Sequence, residues 1–137
     1  MDTTFADFTQ LLRLARSQPQ PQRLLFVFVK AGLPEGSTAQ QKAEYAAGVG
    51  GELEPLMATD KVADELDGFG VLVAEAASFG PPWDLVFVSS LSGSDAGQPE
   101  DDAVAAALDE MIERVRVGRF EGLLPFDAKG RIVEISS

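Results

Sequence analysis

The chain has 137 residues, 45% of them hydrophobic and 24% charged, with no cysteine, no histidine and a formal net charge of −11. Without cysteine there are no disulfides, thiolate nucleophiles, zinc ribbons or iron–sulfur clusters. Without histidine there is no Ser-His-Asp triad, no imidazole acid or base and no facial-triad iron site. The 22 acids against 11 bases repel phosphates and anionic lipid, which speaks against nucleic acid or a membrane as partner.

The length predicts one domain over residues 1–137. The apolar content, including nine Phe, is enough for a core without staples. The start Met1-Asp2-Thr3-Thr4 is acidic and lacks the features of a signal peptide. The longest apolar run, Leu24 to Val29, is far short of the roughly 20 residues of a membrane span. A cytoplasmic location is the expectation.

A first helix is predicted over Phe5 to Arg16, with Thr4 as cap, Asp7 three residues on, and Phe5, Phe8, Leu12 and Ala15 on one face. Arg23 to Lys30 reads as a strand, and its run Leu24–Val29, apolar at every position, predicts burial on both faces. Thr38 with Gln41 predicts the cap of a short Ala-rich helix that ends at Gly48-Val49-Gly50-Gly51. Those glycines close a helix and precede a strand, the reverse of a phosphate cradle, and read as a plain loop.

Leu53 to Thr59 predicts a short strand, placed at an edge or made irregular by Pro55. Asp60 then predicts the cap of a long helix reaching Phe79, with Val62, Leu66, Phe69, Val73 and Ala76 on its inner face. Gly68 and Gly70 fall inside it at about 1 kcal/mol each relative to Ala, which close packing or a kink would explain. Trp83 to Ser90 reads as a second central strand. Pro99 to Val117 reads as a helix with acids in its first turn, Arg114 and Arg116 in its last, a stripe of Val104, Leu108, Met111, Ile112 and Val115, and Glu110 spaced to pair with Arg114. Gly122–Phe126 and Arg131–Ile135 flank Asp127-Ala128-Lys129-Gly130 as a hairpin. The order α-β-α-β-α-β-α-β-β predicts an α/β fold: a mixed sheet of about five strands with helices packed on it.

Open α/β sheets bind ligands beyond the carboxyl ends of their strands. Lys30 ends the first strand, Asp60 and Lys61 follow the second, and Ser90 and Ser92 belong to the serine-rich stretch Ser89–Asp95. With parallel strands these five residues gather at one rim. Two ammonium groups, a carboxylate and hydroxyls suit a small anion or metabolite, and a Ser–Lys pair suits a weak hydrolase. The competing reading of Ser89–Asp95 is an inert loop. Asp95, Glu100, Asp101 and Asp102 are hard oxygen ligands but lack EF-hand spacing, and a helix first turn attracts acids without a metal. No metal, cofactor or catalytic residue is assigned. Trp83 reads as a lid on the core or an exposed partner anchor. The strand edge beside Pro55, or the C-terminal hairpin, offers a route to a homodimer by strand pairing.

Leu24-Leu25-Phe26-Val27-Phe28, Leu33-Pro34, Gly50-Gly51, Leu53, Pro55-Leu56-Met57, Asp60-Lys61, Trp83-Asp84-Leu85-Val86-Phe87-Val88 and Pro125-Phe126-Asp127 with Gly130 together resemble a small proteobacterial family labelled "ribonucleotide reductase subunit alpha". The likeness spans nearly the whole chain and rests on structural positions, so it transfers no catalytic residue. What it implies is an accessory role linked to ribonucleotide reductase. The element order also faintly resembles the SseB-type α/β domain, named for enhanced serine sensitivity. The leading expectation is a non-catalytic module that binds another protein or itself. Its alternatives are the small-anion or hydrolase rim and the reductase-linked accessory. The rim reading requires Lys30 and Ser92 at one end of the sheet.

Overall fold

A strand that is apolar at every position is stable only when both of its faces are covered. In the computed structural model, which describes residues 7–31 and 53–133, the strand β1 (Gln22–Ala31) meets that condition. No side chain from Leu24 to Val29 is more than 3% exposed. β1 lies between β2 (Leu53–Val62) and β3 (Leu85–Ser92), and β4 (Leu124–Phe126) pairs with β3, giving the order β2-β1-β3-β4. The expected Thr4 cap, Phe5, the Thr38 helix, the Gly48–Gly51 loop and Ile135 lie outside the described residues.

The mixture of helices and strands is as expected, but the described sheet has four strands and every pairing in it is antiparallel. Among the described residues, neither the mixed sheet nor about five strands is found. β2 and β3 flank β1, so the connection between them crosses β1. This gives strand–helix–strand alternation in sequence without any parallel neighbours in space.

Side chains alternate across β1 and divide the interior into two cores. Leu25, Val27 and Val29 join Leu85 and Phe87 under α3 (Asp101–Arg116), which contributes Val104, Met111 and Val115. Leu24, Phe26 and Phe28 join Val86, Val88 and Phe126 under α1 (Phe8–Arg16) and α2 (Phe69–Phe79). Trp83 stands edge-on to Phe28 with ring centroids 5.0 Å apart and packs against this second core, half-buried.

α1 begins at Phe8, later than expected, because Asp7 is the cap: its carboxylate accepts the Gln10 N–H at 3.0 Å. Asp7→Ala is expected to cost about 1 kcal/mol, the worth of a typical N-cap, read as a lower urea midpoint with unchanged slope. At the other end of α1, the Arg16 guanidinium donates to the carbonyls of Ala63 (3.0 Å) and Leu66, tying the helix to the turn after β2.

That turn stands where a long helix is expected. Asp60 caps no helix. β2 runs on through Asp60 and Lys61, which lie opposite Leu25 and Leu24, and ends at Val62. A single 3₁₀ turn, Ala63–Glu65, follows, and α2 starts only at Phe69. The Asp60 carboxylate is taken by Arg23 at 2.7 Å instead of by backbone N–H groups. Gly68 is the residue before α2 and Gly70 lies in its first turn. A Cβ on either would meet nothing within 4 Å, so neither close packing nor a mid-helix kink explains them. Pro55 does sit on an edge strand, beside a bulge. Phe28 faces Met57 while Val29 faces Pro55, which leaves Leu56 as the extra residue.

α3 has the expected acids at its start and arginines at its end. Arg114 turns to Glu121 at 3.7 Å, not to Glu110. The C-terminal hairpin forms around Asp127–Gly130. Gly130 N–H donates to the Asp127 carbonyl at 3.1 Å, the Asp127 carboxylate accepts from the N–H groups of Lys129 and Arg131, and Phe126 bridges Ile132. Among the described residues, no helix is long and apolar enough to cross a membrane.

Candidate functional site

Antiparallel pairing decides where the five rim residues fall. Gln22, at the start of β1, faces Ser92 at the end of β3. Lys30, at the end of β1, faces Glu54. Eight residues of extended chain separate the two levels, about 27 Å at 3.4 Å per residue. Lys30 therefore stands at the opposite end of the sheet from Ser92, and the single rim is not assembled.

The other four lie toward one end but do not converge. Asp60 and Lys61 are consecutive strand residues and point to opposite faces. Asp60 is paired with Arg23, whose Nε also donates to Gln98 at 3.0 Å. Lys61 reaches the other way, to Glu75 on α2, with Nζ 2.7 Å and 2.6 Å from the two carboxylate oxygens. Ser92 exchanges hydrogen bonds with the buried side chain of Gln22 at 2.9 Å and 3.1 Å. Ser90 is exposed on β3, opposite Leu24.

The serine-rich stretch has a structural account. Ser89, Ser90 and Ser92 belong to β3, and Ser94 closes a tight turn with Gly97 through two backbone hydrogen bonds of 2.9 Å. The Gly97 carbonyl occupies the space a Cβ on Gly93 would need. Among the described residues, no three acidic side chains converge as metal ligands, and every buried side-chain nitrogen or oxygen has a hydrogen-bond partner.

A different feature stands out on the α1/α2 side, where α2 runs beside the edge strand β2. Phe28, Met57, Ala58, Thr59, Leu72, Glu75, Ala76 and Phe79 line a cleft of about 310 Å³. A second cleft of about 280 Å³ is lined by Asp60, Lys61, Val62, Glu65, Leu66, Asp67, Val71 and Glu75. Glu75 lines both, so the two clefts adjoin at the Lys61–Glu75 pair, and together they make up the groove between α2 and β2. Val71, Glu75 and Phe79 recur every four residues and share one stripe of α2, while Leu72 and Ala76 face the core. Phe79 is 77% exposed and Val71 is also exposed, while Glu75 is half-buried.

None of the groove's apolar residues was singled out from sequence as a site. The available signal was the four-residue recurrence of Val71, Glu75 and Phe79. It was masked by starting the helix at Asp60, which leaves Phe79 as merely its last residue. No protein-family model, no curated protein and no solved structure matches this chain.

Proposed function

We propose that the chain is a non-catalytic protein-interaction module whose docking surface is the groove between α2 and β2. The observation that carries this reading is Phe79, held 77% exposed at the edge of a cleft already walled by Phe28, Met57, Leu72 and Ala76. Fully burying a phenylalanine is worth about 1.5–3 kcal/mol, and aromatic anchors beside apolar pockets commonly dominate interface energetics. The polar residues expected to form a small-molecule rim are dispersed, and Asp60, Lys61 and Ser92 are engaged in bonds within the chain.

The test is selection of short random peptides displayed on phage, on the unmodified chain and on Phe79→Ser in parallel. Peptides enriched on the unmodified chain are expected to bind Phe79→Ser about 30-fold more weakly, as a hot-spot anchor worth about 2 kcal/mol requires. The variant itself should melt within a few degrees of the unmodified chain, because the side chain it truncates is mostly in water. If selection yields no peptide that distinguishes the two proteins, the reading fails.

A further inference from the structure

The groove differs chemically along its length, and we infer that its occupant is a short basic segment of another protein, with an apolar anchor at one end and lysine or arginine at the other. This deepens the docking-surface reading and rests on it. One end, formed by Phe28, Met57, Leu72, Ala76 and Phe79, suits the apolar anchor. Asp60 turns its carboxylate to the opposite face of the sheet, so the charged side chains at the other end are three acids, Glu65, Asp67 and Glu75, against one base, Lys61.

One of those acids, Glu75, is neutralised within the chain by Lys61. Glu65 and Asp67 are exposed, and among the described residues neither has an ion-pair partner. They leave a local excess of negative charge beside an apolar cleft. That pattern attracts a ligand carrying both features and repels an acidic one.

The same charge argument selects against a second copy of the chain. Each copy carries −11, so self-docking would bring like charge toward Glu65 and Asp67. Size follows from the strand. β2 between its bulge and its end, Met57 to Val62, is about 17 Å long. A segment of about six extended residues spans it, with the anchor near Met57 and Phe79 and the basic residues near Glu65 and Asp67.

Two synthetic peptides of equal length test this, sharing a Phe-Leu anchor and flanked by lysines in one and glutamates in the other. Their binding is measured by fluorescence anisotropy against the unmodified full chain, a Glu65→Lys/Asp67→Lys variant and Phe79→Ser. The lysine peptide is expected to bind the unmodified chain about tenfold more tightly than the glutamate peptide at low salt, the effect of two partly exposed charge pairs. The preference should shrink as salt rises and reverse in the double variant, while Phe79→Ser weakens both peptides. Equal binding of the two peptides, with Phe79→Ser still weakening both, overturns the basic partner and leaves the docking groove standing. No measurable binding of the lysine peptide also overturns the basic partner. Binding indifferent to Phe79→Ser overturns the groove itself. A concentration-dependent dimer in sedimentation velocity, abolished by Phe79→Ser, makes a second copy the occupant and overturns the inference.

Discussion

Replacing Phe8 with alanine is expected to lower the unfolding free energy by about 3–5 kcal/mol, the usual range for removing a buried aromatic ring. Phe8 is 1% exposed and is the contact point of three elements. Its ring centroid lies 5.9 Å from Phe26 in β1, 5.2 Å from Phe69 at the start of α2 and 5.7 Å from Phe126 in β4. The contact with Phe126 is edge-on, a geometry that contributes beyond burial alone. These neighbours sit on separate backbones and cannot all close the resulting cavity. For a chain of this length, a loss of that size corresponds to a fall in Tm of about 3–4 °C per kcal/mol, measurable by calorimetry. A fall of less than a few degrees would mean that the junction repacks, and that Phe8 does not hold α1 to the sheet.

Gly130→Ala is expected to cost about 2–3 kcal/mol at the same junction, from two sources. Gly130 has φ +80, in the left-handed region where a side chain costs about 1–2 kcal/mol. A methyl group there would also approach the Phe69 ring to 3.0 Å. The hairpin turn cannot simply move away, because the Gly130 carbonyl accepts the Phe8 N–H at 2.7 Å and Asp7 bridges Arg131. The two substitutions should therefore interact. Once the Phe8 ring is gone, Phe69 has room to retreat from the new methyl group. The double variant is then expected to lose less than the sum of the single losses, by about 0.5–1 kcal/mol in a denaturation cycle. Strict additivity would show that the hairpin and α2 meet without Phe8 as intermediary.

How much of this was legible in sequence differs by element for physical reasons. β1 and β3 announce themselves because Leu24–Val29 and Leu85–Val88 are apolar at every position, and only a central strand buries such a run. α3 is legible because its acids, its arginines and its apolar stripe all agree. Strand direction is not legible, since burial on both faces looks the same in parallel and antiparallel sheets. The end of β2 is hidden because an aspartate ahead of apolar residues at helical spacing, Val62, Leu66 and Phe69, is a good helix start. What overrides that local preference is Arg23, 37 residues earlier in the chain and next to Asp60 only once β1 and β2 have paired. The rim depends on strand direction too: β1 runs opposite to both of its neighbours, which sends Lys30 to the far end. The groove was hidden for a similar reason. Recurrence at Val71, Glu75 and Phe79 identifies a stripe, but only the tertiary packing shows that the core takes Leu72 and Ala76 and leaves Phe79 in water.

The division of the interior by β1 has a further consequence, for how the molecule opens. Both layers of helices lean on the same strand. The amides of Leu24–Val29 bond in the plane of the sheet to β2 and β3, so baring them must part strands that α3 clamps on one face and α1 and α2 clamp on the other. Those amides are therefore placed to exchange with solvent through whole-molecule unfolding alone, while the outer stripe of α2 exchanges through smaller local openings. The exposed stripe of α2 that borders the groove, Val71 and Phe79, stands outside that cooperative unit. The exposed side chains Val71 and Phe79 can be exchanged for others, and recognition retuned, with little change in the stability of the strand that holds the molecule together.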